Sequence, residues 1–581
     1  MIRITKKYFF SILFLALSLG SCDDDILNQT DPNRISTDSF WKNLDDTNST
    51  LTATYATLFD HYILCLVEES WRSDMGWPGF GRPTPGDGQG RTYYYKTYTN
   101  SDNSIQKKWE GLYQGISRAN QTISGLESLK GTVNEDEWTL QMAQARFFRG
   151  LFHFYLHTSF NEGNVILRDK VPVTQEDFNK GVSPSGEVLD FFRADLEYAY
   201  KNLPAKYENL SADQGRVTAG TAATILGTSF LYEEEYTKAL DLFNDVIDNP
   251  EYGYRLVDPE VLFTIEGEFN SESIFEIPYN VIHRPELNQW DELSQTNRYG
   301  FLFSGVTTSM PAWIQYRYKT EPMDPLDERN YYVDAIEGRK LRNVPLRASQ
   351  MVTLVEDEQT LYYLDDNVSE NMKKGARGWG FGHSKKYSNH DHLKSEDDNP
   401  KGSWNSGKNV IVNRLAEVYL MRAECHIQMG NLSEALNDIN TIRKRWGLQL
   451  LGPVKDGGHT FDGLMYTAQT LMDHLMYVEK PLELSNEGHS IRWADLRRWG
   501  IIKSNFDRLA SEVYYAVPYN FTRLDGTKGW NDASVIMGPE PAEFELLVDF
   551  EYDLTAENYN PELHDYLPIP LSEVTSNSSI D

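Results

Sequence analysis

Aromatic rings that stand in loops beside short polar residues are where this chain's residue types and spacing suit chemistry, and that chemistry is stacking on a sugar. A pyranose offers a flat C–H face to a ring, while its hydroxyls exchange hydrogen bonds with Asn, Asp, Gln and Arg. Most of the 34 Tyr and 13 Trp must fill a core, so the informative rings are those outside helical stripes. Trp77, between Gly76 and Pro78, is one, and Trp71 opens the same glycine-rich stretch. Trp379, within Gly378-Trp379-Gly380-Phe381-Gly382, is another, with Arg377 beside it as a donor to hydroxyls.

Bond-making chemistry has weaker support. His383, His390 and His392 cluster near Asp391, but neither paired ligand spacing on a helix nor a CxxC accompanies them, so they are expected to be solvent-facing loop histidines. Gly375 to Gly380 has the interval of a phosphate loop, yet Phe381 stands where lysine is required. Abundant carboxylates, 86 in all, are no argument for glycoside cleavage. No catalytic residue, metal or cofactor is assigned, and a structural calcium ion is not indicated. Of three cysteines, Cys65 and Cys425 lie in helix-like apolar settings and are expected to pack as small hydrophobes.

The elements that must position the loop rings are helical. Ile105, Trp109, Leu112, Ile116, Ala119, Ile123 and Leu126 alternate steps of four and three, which makes one face of residues 104–129 apolar. Residues 138–160 read as a second long helix ending at Asn161-Glu162-Gly163-Asn164, and residues 40–67 also follow helical spacing. Two segments look like tetratricopeptide units, in which small residues let paired helices approach. Gly227, Ala239 and Phe243 form one set, and Ala423, Ala435 and Ile439 repeat its spacing of twelve and four. Gly430 suits the left-handed position after a helix, with Asn431 and Glu434 as a capping pair behind it. Between the units, residues 250–410 are rich in Gly, Pro, Asn, Asp and aromatics and read as loops with short strands. Residues 71–99 and 514–544 have the same irregular character, and such segments on a rigid scaffold are where binding surfaces are built.

The N-terminus carries an address. Arg3, Lys6 and Lys7 precede an apolar run from Tyr8 to Leu19, and Leu19-Gly20-Ser21-Cys22 follows, which is the layout of a cleaved and lipidated secretory signal. Removing residues 1–21 takes away those three cations and no acid, so the net charge moves from −31 to −34. A charge of that sign and size opposes nucleic acid, whose binding depends on basic side chains replacing counterions. No later stretch has the ~20 consecutive apolar residues of a membrane-spanning helix, which leaves the lipid on Cys22 as the membrane attachment.

Five blocks in order make the chain resemble the SusD/RagB family of Bacteroidetes nutrient-binding lipoproteins. They are Asp31-Pro32 with Phe40-Trp41 and Tyr55; Trp109, Tyr113, Ile116 and Ala119-Asn120; and Ala143-Gln144-Ala145-Arg146-Phe147-Phe148-Arg149-Gly150. The most specific runs from Arg414 through Leu415-Ala416-Glu417 to Ala423-Glu424, and the last joins Glu487-Gly488-His489 and Arg492-Trp493 to Tyr566-Leu567-Pro568. Asn486 and Ser490 interrupt the family's usual spacing there. Asp23-Asp24-Asp25 resembles the family's export tag for the cell surface.

The resemblance implies a mainly α fold of four tetratricopeptide-like helix pairs packed against a loop-rich binding region with short strands. In this reading residues 1–21 are the signal peptide and 22–39 a lipidated acidic tether. Residues 40–581 form one domain, with its scaffold at about 40–70, 104–249 and 410–500 and its loop-rich region at about 71–103, 250–409 and 501–581. It further implies an outer-membrane protein facing the cell exterior that captures a glycan and delivers it, without catalysis, to a SusC-like TonB-dependent transporter. Trp290, Tyr299, Trp313 and Tyr316 fall where the family's binding loops lie, and join Trp77, Trp71, Trp379 and Arg377 as candidate contacts. Trp109, Trp493 and Trp499 match core motifs instead. Capture of peptide or glycopeptide, or a helical adaptor that binds only protein, stand as alternatives.

Overall fold

A computed structural model describes residues 40–580, apart from 83, 87, 284–285, 288–293, 305–306, 335, 373–380, 456, 543–545 and 549–550. Eight helices form the scaffold: α1 (Leu44–Ala56), α2 (Asn103–Leu129), α3 (Glu135–Ser159), α4 (Ser185–Asn202), α5 (Ala219–Tyr232), α6 (Tyr236–Asp248), α7 (Leu415–Gln428) and α8 (Leu432–Arg445). Each packs on the next in a continuous row, which makes four antiparallel-connected pairs. The two tetratricopeptide-like units, far apart in sequence, are therefore spatial neighbours through α6 and α7.

Local chemistry starts and spaces these helices. The Asn134 side chain accepts from the Glu137 amide at 2.9 Å, and Glu135, Asp136 and Glu137 place negative charge at the α3 N-terminus where the helix dipole favours it. Thr218 and Thr221 cap α5 reciprocally. A Cβ on Gly227 would stand 2.7 Å from the Phe243 ring, so that glycine is what lets α5 and α6 close on each other. Gly430 has φ +80° as expected, but the Asn431 side chain makes no capping bond to α8.

Two further expectations change, while the burial expected of both cysteines holds. The helical stretch expected over 40–67 is broken into α1 and shorter turns, and Cys65 sits between His61–Leu64 and Leu66–Arg72 with φ +55°. Both Cys65 and Cys425 are free and buried. Residues expected to be irregular after 514 instead form an antiparallel hairpin, Tyr514–Thr522 with Lys528–Met537.

Residues between α6 and α7 leave and return through one two-stranded antiparallel sheet, β1 (Ser273–Ile277) with β2 (Val410–Arg414). Register shifts on both sides of Phe275 re-aim the end of that sheet. Arg414, at the end of β2, points into a buried cluster of opposite charges. Its guanidinium reaches Glu272 at 3.0 Å, Glu483 at 2.7 Å and Glu487 at 2.6 Å. Arg445 at the end of α8 pairs with Glu272 at 2.5 Å and with Glu483. Arg347 pairs with Glu321 and, at 2.5 Å, with Glu479, which Arg443 also meets at 2.9 Å. Lys386 holds Glu487. Burial alone would push the Glu483 carboxyl up, but Arg445, Arg414 and Arg347 outweigh it and hold the group down to about 2. Glu69 is held at about 2 in the same way, by Lys108 and Arg72 against its burial.

Breaking one partner of such a cluster leaves an uncompensated buried charge, which costs about 3–5 kcal/mol. Arg414→Met is expected to lower the unfolding free energy by that amount in a denaturant titration, whereas Arg339→Met, on an exposed pair, is expected to leave the unfolding midpoint essentially where it is. A carboxylate depressed to about 2 stabilises the fold fully above its ordinary value of 4.5 and loses that contribution as pH falls through 2. The melting temperature is accordingly expected to fall steeply between about pH 4.5 and 2; a flat profile there contradicts the ionised cluster.

Candidate functional site

Four of the aromatic residues singled out from sequence are packed inside. Trp77 is 1% exposed; its Nε1–H donates to the Gly81 carbonyl at 2.8 Å, the Arg82 guanidinium lies 4.1 Å from its ring centroid, and Tyr94 meets it edge-on at 5.1 Å. Trp71 is buried in the core around α2 and α3, with Gly90 against its ring. The Tyr299 hydroxyl donates to the His61 carbonyl at 3.3 Å, and Trp313 Nε1–H donates to the Asp74 carbonyl at 2.8 Å. With their faces taken by protein, these four pack rather than stack on a ligand. Tyr316 is half-buried. Trp290, Arg377, Trp379 and Cys22 lie outside the described residues.

The loops that carry these residues nevertheless converge. Trp77–Pro78 pairs antiparallel with Thr308–Ser309, and the Gly79 amide donates to the Thr307 carbonyl at 2.8 Å. The Met310 amide donates to the Gly382 carbonyl at 2.7 Å, and the Gly382 amide to Gln315 Oε1 at 2.9 Å. A Cβ at Gly382 would stand 2.6 Å from the Thr353 carbonyl oxygen, so no larger residue fits. Arg82 clamps all three segments. It donates to Ser309 Oγ at 3.2 Å and the Met310 carbonyl at 3.0 Å, stacks 4.5 Å from the Phe381 centroid, and pairs with Glu551 at 2.8 Å. The other Glu551 oxygen accepts from the Ala312 amide at 2.8 Å. Burial outweighs the attraction for both partners, lowering Arg82 and raising Glu551 from their ordinary ranges, so the clamp's contribution is positional.

Two smaller rings are part-exposed, one beside this cluster and one on a separate turn. Phe80 is 41% exposed between Gly79, which has φ +79°, and Gly81; Phe301 is 38% exposed on the turn Tyr299–Leu302. Neither was singled out as a contact from sequence, although the two glycines flanking Phe80 mark a ring lifted on a turn.

Two family descriptions match the chain: the SusD family over residues 305–581, and "Starch-binding associating with outer membrane" over residues 84–227. The chain belongs to the SusD/RagB family. A SusD-like protein of Formosa agariphila is 24% identical over 408 residues, covering 69% of this chain and 71% of the relative. A SusD superfamily protein of Bacteroides vulgatus superposes with a TM-score of 0.68 at 22% identity, over 93% of this chain and 99% of that one. A "Laminarin binding SusD-like protein" gives 0.58 at 19% identity over 93% and 99%. These structures establish the mainly α fold.

Within this SusD/RagB chain His392 faces solvent as expected, but His383 and His390 do not. His383 is buried, with Nδ1 3.0 Å from Thr353 Oγ1 and Nε2 3.1 Å from the Tyr362 hydroxyl, and burial lowers its imidazole to about 4. His390 is buried beside Ser388, while Asp391 is taken by Lys408 at 2.6 Å. No group of three or more His, Cys, Asp or Glu arranged to hold a metal occurs among the described residues. The SusD-specific departure at Asn486 and Ser490 also has a physical form. Both take left-handed backbone, φ +57° and +54°, on either side of Gly488 at +67°. Their side chains meet Ser70 at 2.9 Å and Lys108 at 3.2 Å, which ties the turn to the segment after α1 and to α2.

Burial separates packing from contact experimentally. Trp77→Ala is expected to cost about 3–5 kcal/mol of stability, and Phe80→Ala less than about 0.5 kcal/mol, in the same thermal-unfolding series. Equal stabilities for the two variants would contradict the placement of Trp77.

Proposed function

We propose that the protein is a non-catalytic glycan catcher, anchored by lipid on Cys22 to the outer membrane and facing outward, which passes oligosaccharide to a SusC-like TonB-dependent transporter. One observation carries the reading: three loops far apart in sequence are clamped together by Arg82, and the exposed ring of Phe80 stands on one of them among backbone amides and carbonyls. Exposed rings beside hydrogen-bonding groups are what a pyranose requires. Membership of a family whose description includes starch binding supports the same chemistry, as do fold neighbours named a laminarin-binding protein and "Surface glycan-binding protein A from Bacteroides fluxus". Trp290, Trp379 and Arg377 complete the contact set in this reading. The division into signal, tether and one folded body, with residues 22–39 as a leash for a lid over the transporter, belongs to it as well.

Affinity electrophoresis of the protein from Asp23 onward, in gels cast with soluble starch, laminarin, xylan or mannan, tests capture. Retardation on at least one gel is expected, with Phe80→Ala, Phe301→Ala and Trp379→Ala each migrating faster than wild type there. Retardation on none, with binding only to peptide, would replace glycan by peptide as the cargo. In cells, Cys22→Ala is expected to leave the membrane fraction, and native protein on intact cells is expected to be open to protease.

A further inference from the structure

Two concavities lie away from the clamped loops. These cavities, of about 260 Å³ each, flank the turn Gln214-Gly215-Arg216, and both are also lined by Phe275 and Glu276 of β1. The turn is a partition that only glycine allows: Gly215 has φ +85°, and a Cβ there would meet the Phe269 ring at 3.3 Å. One cavity is walled by Tyr207, Tyr254 and Phe269, the other by Tyr55 and Phe59. Tyr55 is fixed, since its hydroxyl donates to Gln144 at 2.7 Å and accepts from the Val217 amide at 3.1 Å. Arg216 is held back from the space by Asp213 at 3.0 Å, Gln144 at 3.0 Å and Asn48 at 3.2 Å. The side-chain amides of Gln214, which faces both cavities, and of Gln295, which faces the second, are committed to no hydrogen bond among the described residues.

We propose that the paired cavities are a second carbohydrate site, which takes adjacent sugar rings of an oligosaccharide on either side of Gly215. Rigid aromatic walls and uncommitted neutral amides suit rings that are apolar on their faces and hydroxylated at their edges. Arg216 and Asp213 at the turn pair with each other and Glu276 is taken by the Phe269 amide and the Asn409 side chain, so only Lys206 of the charged lining is uncommitted among the described residues, which suits neutral sugars better than charged ligands. An extended peptide would need an open strand edge, and here the Ile274 carbonyl of β1 is occupied by the Thr221 hydroxyl at 3.0 Å. This inference rests on the glycan reading of the protein but places a site where none of the sequence motifs points.

The test pairs amide and loop variants in the same affinity gels, read together with isothermal titration of oligosaccharides cut from whichever polysaccharide retards the wild type. Gln214→Ala/Gln295→Ala removes no packing and is expected to melt as wild type. It should weaken binding roughly tenfold in a background where Phe80→Ala/Phe301→Ala has disabled the loop surface, since two hydrogen bonds to hydroxyls are lost. Gln214→Trp, which fills the space, should abolish that residual binding. If wild type is retarded and the loop variant's residual binding is unchanged by either substitution, the second site is overturned and the glycan reading stands. If wild type is retarded on no gel, both fall together.

Discussion

A buried balance of charge holds this molecule together. Five cations, Arg347, Lys386, Arg414, Arg443 and Arg445, face five carboxylates, Glu272, Glu321, Glu479, Glu483 and Glu487. Desolvating so many ions is expensive, and only mutual pairing with further hydrogen bonds makes it bearable. The Trp446 Nε1–H donates to Glu483 at 2.6 Å and the Glu483 carbonyl accepts from Arg414 at 2.6 Å, which fills capacity the ion pairs leave. What such a cluster contributes is register. Glu272 immediately precedes β1, Arg414 ends β2, Arg445 ends α8, and Glu479 to Glu487 lie in the segment behind them. None of these elements can shift without exposing an unpaired charge to the interior.

The helix that enters from this cluster joins the two apolar cores. Leu415, Val418, Met421 and Cys425 of α7 pack into the core of the first six helices. Ala416, Leu420, Ala423 and Ile427 pack into the core formed with the long insert and the C-terminal third. A helix apolar on two faces has to be buried between layers, and this double demand explains why residues 414–424 carried the most specific resemblance. Spacing thus made α2, α3 and both tetratricopeptide-like pairs legible, because their partners are local or lie on a regular face. Trp77 and Trp313 misled for the opposite reason. Nothing near them in sequence says that Arg82 will cover one ring, with Glu551, 469 positions downstream, holding that arginine in place. His383 misled likewise: its partners Thr353 and Tyr362 come from a separate stretch. Where long-range polar contacts decide burial, composition of the local segment is a poor guide.

Function follows from this division of labour. The helical row and the charge cluster are spent on rigidity, so the loops can be irregular without being loose, and a preformed surface loses less entropy when it binds. Arg82 turns the large ring of Trp77 inward and leaves Phe80 outward, which suits the shallow sugar-holding surface proposed above.

Hydrogen exchange read by mass spectrometry, with and without the polysaccharide that retards the protein in gels, tests the central claim most directly. The account predicts slowed exchange in residues 76–82 and 307–312, the clamped loops, with the scaffold helices unchanged. Binding without protection of those loops, or protection confined to the outer faces of α2 to α4, would contradict it.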